Sequence, residues 1–190
     1  MTPINPQLSK VQLRQKLRNK CYNIPNSSIK HKQINHHITQ WLSSNSPSPL
    51  ATFIPSQYEP QIWDTLCNIY SKEQLIVPKF NPTTKYFQWN VCNDELVPGK
   101  FNLLEPTTLI HPKNQPNTCF VPALGIDCLG NRLGWGFGFF DRLLQTPFTH
   151  RVGIIFEHQM IKDLTIPTEP WDVPLTHIIT NKGVKTIASN

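Results

Sequence analysis

The stretch RLGWGFGFFDR, from Arg132 to Arg142, sets three glycines at alternate positions (Gly134, Gly136, Gly138) among four aromatic rings, two arginines and Asp141. Two kinds of chemistry need such a pattern. Glycines allow positive φ and leave backbone N–H groups free to point at an anion, so the stretch reads as a phosphate-wrapping loop. A helix predicted over FFDRLLQ (139–145) would add the positive end of its dipole. Arg132 could fork onto phosphate oxygens. Asp141, in the first helical turn, is placed to hold a Mg²⁺ ion that bridges them. The other chemistry is base stacking, because GFGF lies at the heart of the RNP1 pattern of RNA-binding strands. That reading needs an aromatic partner strand some thirty residues earlier. KFNLLEP (100–106) matches it poorly, and Asp141 opposes a phosphate backbone. From the residues alone, both readings stand beside a plain strand-to-helix turn.

The elements that must position this stretch follow from periodicity. Residues 5–22 read as a helix, with Asn5-Pro6 as cap and first turn and Leu8, Val11, Leu13, Leu17 and Cys21 as its apolar side. Lys10, Arg14, Lys16, Arg18 and Lys20 make it strongly basic. A second helix is predicted over 27–43 through Ile34, Ile38, Trp41 and Leu42, and SNSPSP (44–49) then breaks the chain. LATFI (50–54), the helix PQIWDTLCNIY (60–70) with Ile62, Leu66 and Ile69, and LIVP (75–78) read as strand, helix and strand, the order of a parallel βαβ unit. KYFQWNV (85–91), TCFVPAL (118–124), RVGIIF (151–156) and THIIT (176–180) read as further strands. The expected architecture is a single-domain α/β sandwich of three-layer type with a mixed, largely parallel sheet.

Composition bounds the rest. A chain of 190 residues suits one domain, and 38% hydrophobic residues suffice for one core. Eighteen Lys and Arg against twelve Asp and Glu leave a net charge of +6, which favours anionic partners without naming one. Five cysteines without a CxxC pair argue against a disulfide framework or a zinc site and for reduced, mostly buried thiols. His36-His37 lacks the spacing of ligands on one helix face and reads as helix surface. MTPINPQLSK has no apolar signal region, and no apolar run is long enough to span a membrane. A cytoplasmic monomer acting on small molecules, with neither nucleic acid nor membrane as partner, is expected.

VPALGIDCLGNRLGWGFGFFDRLL (121–144) resembles the signature of the 5-formyltetrahydrofolate cyclo-ligases, also called 5,10-methenyltetrahydrofolate synthetases. KVQLR (10–14), FIPSQYEPQIW (53–63) followed by LIVPK (75–79), and IPTEPWDVPLTHIIT (166–180) agree with that family in order and spacing, so the resemblance covers most of the chain. It implies an architecture like NagB, RpiA and the CoA transferases. It also implies an ATP- and Mg²⁺-dependent closure of 5-formyltetrahydrofolate to 5,10-methenyltetrahydrofolate. In that chemistry the formyl oxygen is phosphorylated, N10 attacks the activated carbon, and phosphate leaves. An amide oxygen is a poor leaving group until phosphorylated, so such an enzyme must position two ligands and neutralise moving phosphate charge.

Carried over by resemblance, Lys10 and Arg14 contact ATP phosphates, with Lys10 and Arg132 catalytic. Arg132, Leu133, Gly134, Trp135, Gly136, Phe137, Gly138, Phe139 and Phe140 form the nucleotide loop. Asp141 is the Mg²⁺ ligand, with Glu169 or Asp172 as a second acid. Glu59 faces the folate and Ile54 lines its pocket. Trp135, Phe137 and Phe139 either flank a bound ring or pack in the core. The chain departs from the family pattern at Phe139-Phe140, where two tyrosines are common. It departs also at Trp135, at Phe137, at VPAL where a second glycine is usual, and at Thr176 in place of a frequent Asp. Those departures bear on substrate choice and rate, and they keep open a nucleotide-binding paralogue with another substrate or none.

Overall fold

A reciprocal cap starts the first helix. Ser9 stands in extended backbone; its Oγ accepts from the Gln12 N–H at 3.3 Å, and Gln12 Oε1 accepts from the Ser9 N–H at 2.9 Å. This capping box satisfies two donors that a helix start leaves open. The structure, a computed structural model, describes residues 9–22, 24, 27–93 and 95–188. The expected cap at Asn5-Pro6, and Leu8, lie outside the described residues, and α1 (Lys10–Cys21) starts after Ser9. Leu13, Leu17 and Cys21 are buried at i, i+4 and i+8. Val11, expected on that apolar side, is 70% exposed, because it sits half a turn away from the stripe.

The remaining elements, in chain order, are α2 (Ser27–Asn45), β1 (Leu50–Ala51), α3 (Trp63–Ile69), β2 (Leu75–Asn81), β3 (Tyr86–Val91), β4 (Leu96–Pro98), β5 (Leu104–Pro106), β6 (Thr118–Pro122), β7 (Gly125–Asp127), β8 (Arg132–Leu133), α4 (Phe139–Leu143), β9 (His150–Ile154), β10 (Met160–Ile161), β11 (His177–Thr180) and β12 (Gly183–Thr186). Seven strands form the central sheet in the order β12-β11-β9-β6-β1-β2-β3. The five inner strands run parallel, and β3 and β12 close the edges antiparallel. The strand–helix–strand unit over 50–78 is parallel, as its order predicts. A second small sheet, β10-β7-β8, carries α1, and a β4–β5 hairpin stands beside β2.

Alternation along the strands divides the core between the two faces of the sheet. Leu50, Leu75, Val77, Phe120, Val152, Ile154 and Ile179 meet α2 and α3 on one face. Ala51, Ile76, Cys119, Val121 and Ile178 meet α4 and the segments around it on the other. Inner parallel strands buried on both faces need unbroken apolar runs, which is why TCFVP is buried throughout.

Several expected boundaries shift. β1 stops at Ala51, with one further ladder bond from the Thr52 N–H to the Ile76 carbonyl at 2.8 Å; Phe53 and Ile54 then leave the sheet. α3 begins at Trp63, because Gln61 is held by His31 and Asn35 outside a helix, and Ile69 is 43% exposed. β2 continues to Asn81 through Pro78; β1 pairs only with Leu75 and Ile76, so proline falls where one side of the strand has no ladder. The five cysteines are free, but Cys67 and Cys128 are exposed. His36 is exposed as expected, whereas His37 is half-buried and its Nδ1 bonds the Thr180 carbonyl at 2.9 Å.

Phe120 is fully buried between β1 and β9 with Trp41 packed edge-on at 6.0 Å. Phe120→Ala is expected to lower stability by about 4 kcal/mol. Urea unfolding should register this as a lower midpoint with an unchanged slope.

Candidate active site

The strand order sets the place of the site. From β1 the chain moves outward through β2 to β3, whereas β6, β9 and β11 lie on the other side of β1. Connections leaving in opposite directions open a crevice at the carboxyl ends of β1 and β6, where open α/β sheets bind ligands. Phe53, Ile54 and Pro122, at or just beyond the ends of β1 and β6, and Pro78, midway along β2, line a cleft of about 570 Å³ there.

One wall is α1. Lys10, Arg14, Arg18 and Tyr22 all line the cleft at spacings of four. Arg14 and Arg18 each follow a buried leucine, so one step of roughly 100° about the helix axis carries the chain from core to cleft. Arg14 Nε donates to the Gly134 carbonyl at 3.1 Å, and Arg18 Nη2 donates to the Trp135 carbonyl at 2.8 Å. Lys10 Nζ meets Asp172 Oδ2 at 2.5 Å. Arg18 belongs to the site without having been expected there, although its i+4 spacing from Arg14 was a usable signal.

The glycine stretch forms the opposite wall as a loop between β8 and α4, not as a strand. The aromatic-strand reading therefore loses its stacking platform. Gly136 has φ +109°, which only glycine adopts without strain. Gly134 is needed for closeness instead: a Cβ there would come within 2.9 Å of Arg132 Nη1. α4 is only five residues long, so the dipole expected from a helix over 139–145 is small.

Arg132 is the cation at the base. Its side chain is 7% exposed, and it is hydrogen-bonded and ion-paired to Asp141. Its guanidinium lies 6.0 Å from the Phe140 ring centroid, and its Nε–H has no protein acceptor. Burial lowers its pKa, and the charges of Asp141 and Asp172 oppose the shift. Burial also opposes ionisation of Asp172, but hydrogen bonds from Lys10 and the Glu169 N–H, with the charges of Lys10 and Arg132, outweigh it and hold that carboxyl below its ordinary value. Without a ligand, each acid is thus tied to a cation that was expected on phosphate.

Of the three acids expected at a metal, the structure brings two into the cleft. Asp141 and Asp172 line the cleft and flank Arg132. Glu169 is exposed and approaches Asp172 through its backbone N–H, with its carboxylate outside the lining. Among the described residues no three His, Cys, Asp or Glu side chains gather as a metal-binding group. A Mg²⁺ ion commonly takes one or two carboxylates plus phosphate oxygens and water, so the Asp141 and Asp172 pair fits that donor set.

The far end of the cleft is apolar around one acid. Glu59 is 8% exposed. Its Oε2 accepts from the Ser56 N–H at 2.8 Å and its Oε1 from the Trp135 indole N–H at 3.1 Å. Phe101, Phe137 and Phe139 form an aromatic wall with centroids 5.1 to 5.3 Å apart, and Phe139 rests on Phe87 at 4.4 Å. Phe101 was not foreseen. It sits between β4 and β5 at φ +58°, on a hairpin fastened to β2 by the Phe80 N–H to Glu105 bond and by Lys79. Short flanking runs around Gly99 were the only sequence signal for that hairpin. Leu133, expected in the nucleotide loop, is buried against α1 and supports the loop from below.

A profile of the 5-formyltetrahydrofolate cyclo-ligase family matches residues 6–181. The 5-formyltetrahydrofolate cyclo-ligase of Haemophilus influenzae is 32% identical over 127 residues, 62% of this chain and 64% of that protein, so the match spans under two thirds of that relative. The protein of the same name from Mycolicibacterium smegmatis is 30% identical over 155 residues, 75% of this chain and 79% of that one. The solved structure of Aquifex aeolicus 5,10-methenyltetrahydrofolate synthetase superposes with a TM-score of 0.77 at 22% identity, covering 95% of this chain and 94% of that one.

Burial pushes the Glu59 carboxyl above its ordinary value, while its bonds from Ser56 and Trp135 pull it back in part. An acid whose folded pKa is raised contributes stability below its unfolded value, about 4.3, and loses it as pH rises through the folded value. Glu59→Gln does not titrate. Thermal unfolding of the two proteins between pH 3.5 and 7 should therefore move in favour of the variant as pH rises.

Proposed function

The chain belongs to the 5-formyltetrahydrofolate cyclo-ligase family, and from that premise we propose that it closes 5-formyltetrahydrofolate to 5,10-methenyltetrahydrofolate, consuming ATP and releasing ADP and phosphate. The observation that carries the reading is a single cleft with cations and a glycine loop at one end and a buried carboxylate among aromatic rings at the other. A triphosphate suits the first end and a flat ring with an edge of N–H donors suits the second.

In this reading Lys10 and Arg14 take the phosphates, and the loop from Gly134 to Gly138 wraps them with backbone N–H groups. The formyl oxygen displaces ADP from the γ-phosphorus. N10 then attacks the activated carbon, the C–O bond breaks, and phosphate leaves with the proton that N10 gives up. Arg132 is held where charge moves between the two steps. Its buried Nε–H, which has no protein acceptor, is available to meet that charge. Mg²⁺, held by Asp141 and Asp172, would supply neutralisation of the triphosphate. Arrival of phosphate gives Lys10 and Arg132 new partners and releases the two carboxylates that they neutralise in the free cleft. Glu59 accepts hydrogen bonds from the pterin amino and ring N–H, Ile54 lines that pocket, and Phe137 and Phe139, with Phe101, flank a bound ring. The whole chain acts as one domain, as a cytoplasmic monomer with small-molecule partners and neither nucleic acid nor membrane. Among the described residues no helix is long and apolar enough to cross a membrane.

The test is a spectrophotometric assay of the methenyl product with 5-formyltetrahydrofolate, ATP and Mg²⁺. Product is expected only when all three are present, and Asp141→Ala should reduce kcat at least a hundredfold, about 2.7 kcal/mol of transition-state stabilisation. Lys10→Ala should raise the KM for ATP more than that for the folate. ATP binding without product would overturn the reading in favour of a paralogue with another substrate, for which the replacements at Trp135, Phe137, Phe139 and Phe140 would be the place to look.

A further inference from the structure

Trp135 reaches both ends of the cleft. Its carbonyl is bonded by Arg18 and the preceding carbonyl by Arg14, so its backbone is pinned to the cationic wall. Gly136, at φ +109°, turns the chain directly after it. Its indole points the other way, lies 6.1 Å from the Tyr58 ring, and donates Nε1–H to Glu59 Oε1. The Ser56 N–H holds the second oxygen. Each oxygen of Glu59 thus has a fixed N–H donor, and the Ser56 side chain adds a further hydrogen bond to the carboxylate. The indole donor is the one that comes from the glycine loop.

Building on the function proposed above, we propose that Trp135 is a positioning residue that aims the Glu59 carboxylate at the folate edge. Arg14 and Arg18 hold the backbone around residue 135, and the indole so held fixes Glu59. Stacking of the indole face on a ligand, the role its place in the loop suggests, would use the ring and not its N–H. Phenylalanine separates the two roles, because it keeps an aromatic ring and removes the donor.

The measurement is calorimetric titration of 5-formyltetrahydrofolate into wild type and Trp135→Phe, with and without a non-hydrolysable ATP analogue and Mg²⁺. Loss of a hydrogen bond to a charged, buried acceptor should weaken folate binding roughly ten- to a hundredfold. The loss is expected both with and without the analogue. The acid limb of folate binding should move to higher pH, since an N–H that favours the ionised Glu59 is gone. Glu59→Gln and the double variant complete a cycle in which the double should be no worse than Glu59→Gln alone. Additive losses, an unmoved acid limb, or a folate affinity within twofold of wild type would each overturn the inference while leaving the proposed function in place. A wild type that does not bind 5-formyltetrahydrofolate would overturn both.

Discussion

Arg132 is a guanidinium with almost no access to water, and the site is arranged around what that requires. A buried cation is tolerated only when it is paired and hydrogen-bonded. Asp141 supplies the pair, Asp172 a second negative charge, and the Phe140 ring a face toward the cation. Asp141 can reach it because the glycine loop turns at Gly136 and Gly138 and brings the first turn of α4 back over β8. Lys10 in turn neutralises Asp172, which ties the first helix to the C-terminal segment. The result is a chain of alternating charges that is balanced without a ligand and holds one unused N–H for an incoming oxygen.

The same arrangement explains some departures from the family pattern. Phe140 sits where both core clusters meet and shields Arg132, a task for a ring and not for a hydroxyl. Phe139 is half-buried and rests on Phe87, a packing that a ring supplies without a hydroxyl. Trp135 has a donor that a shorter apolar side chain would lack, and it uses it on Glu59. For Thr176 the structure offers a local account: its Oγ1 accepts from the Arg151 N–H at 2.9 Å and joins β11 to β9 at their start.

Much of this was legible in one dimension. The apolar runs at 75–78, 118–122, 151–154 and 177–180 announced inner strands, because a strand buried on both faces has no polar positions to spare. The i+4 spacing of Lys10 and Arg14 placed them on one helix face, and the glycine spacing announced a loop with backbone to offer. The two- to four-residue strands β4, β5, β7, β8, β10 and β12 were not legible, since too few residues repeat to show a period. The start of α1 at Lys10 rests on the reciprocal bonds between Ser9 and Gln12, a contact that apolar periodicity does not report.

The sequence by itself determined the fold class, the family, and which side chains have the chemistry for an anion and a flat polar ring. Those are matters of residue type and spacing, which local sterics and periodicity translate directly. Only the tertiary structure decided who meets whom. It paired Arg132 with Asp141 and Lys10 with Asp172, left the Glu169 carboxylate outside the cleft, brought Arg18 and Phe101 into it, and set the indole of Trp135 on Glu59, 76 positions away in the chain. Those contacts form where the connections leaving β1 and β6 diverge, and the position of that crevice follows from the order of strands in the sheet, which no local pattern encodes.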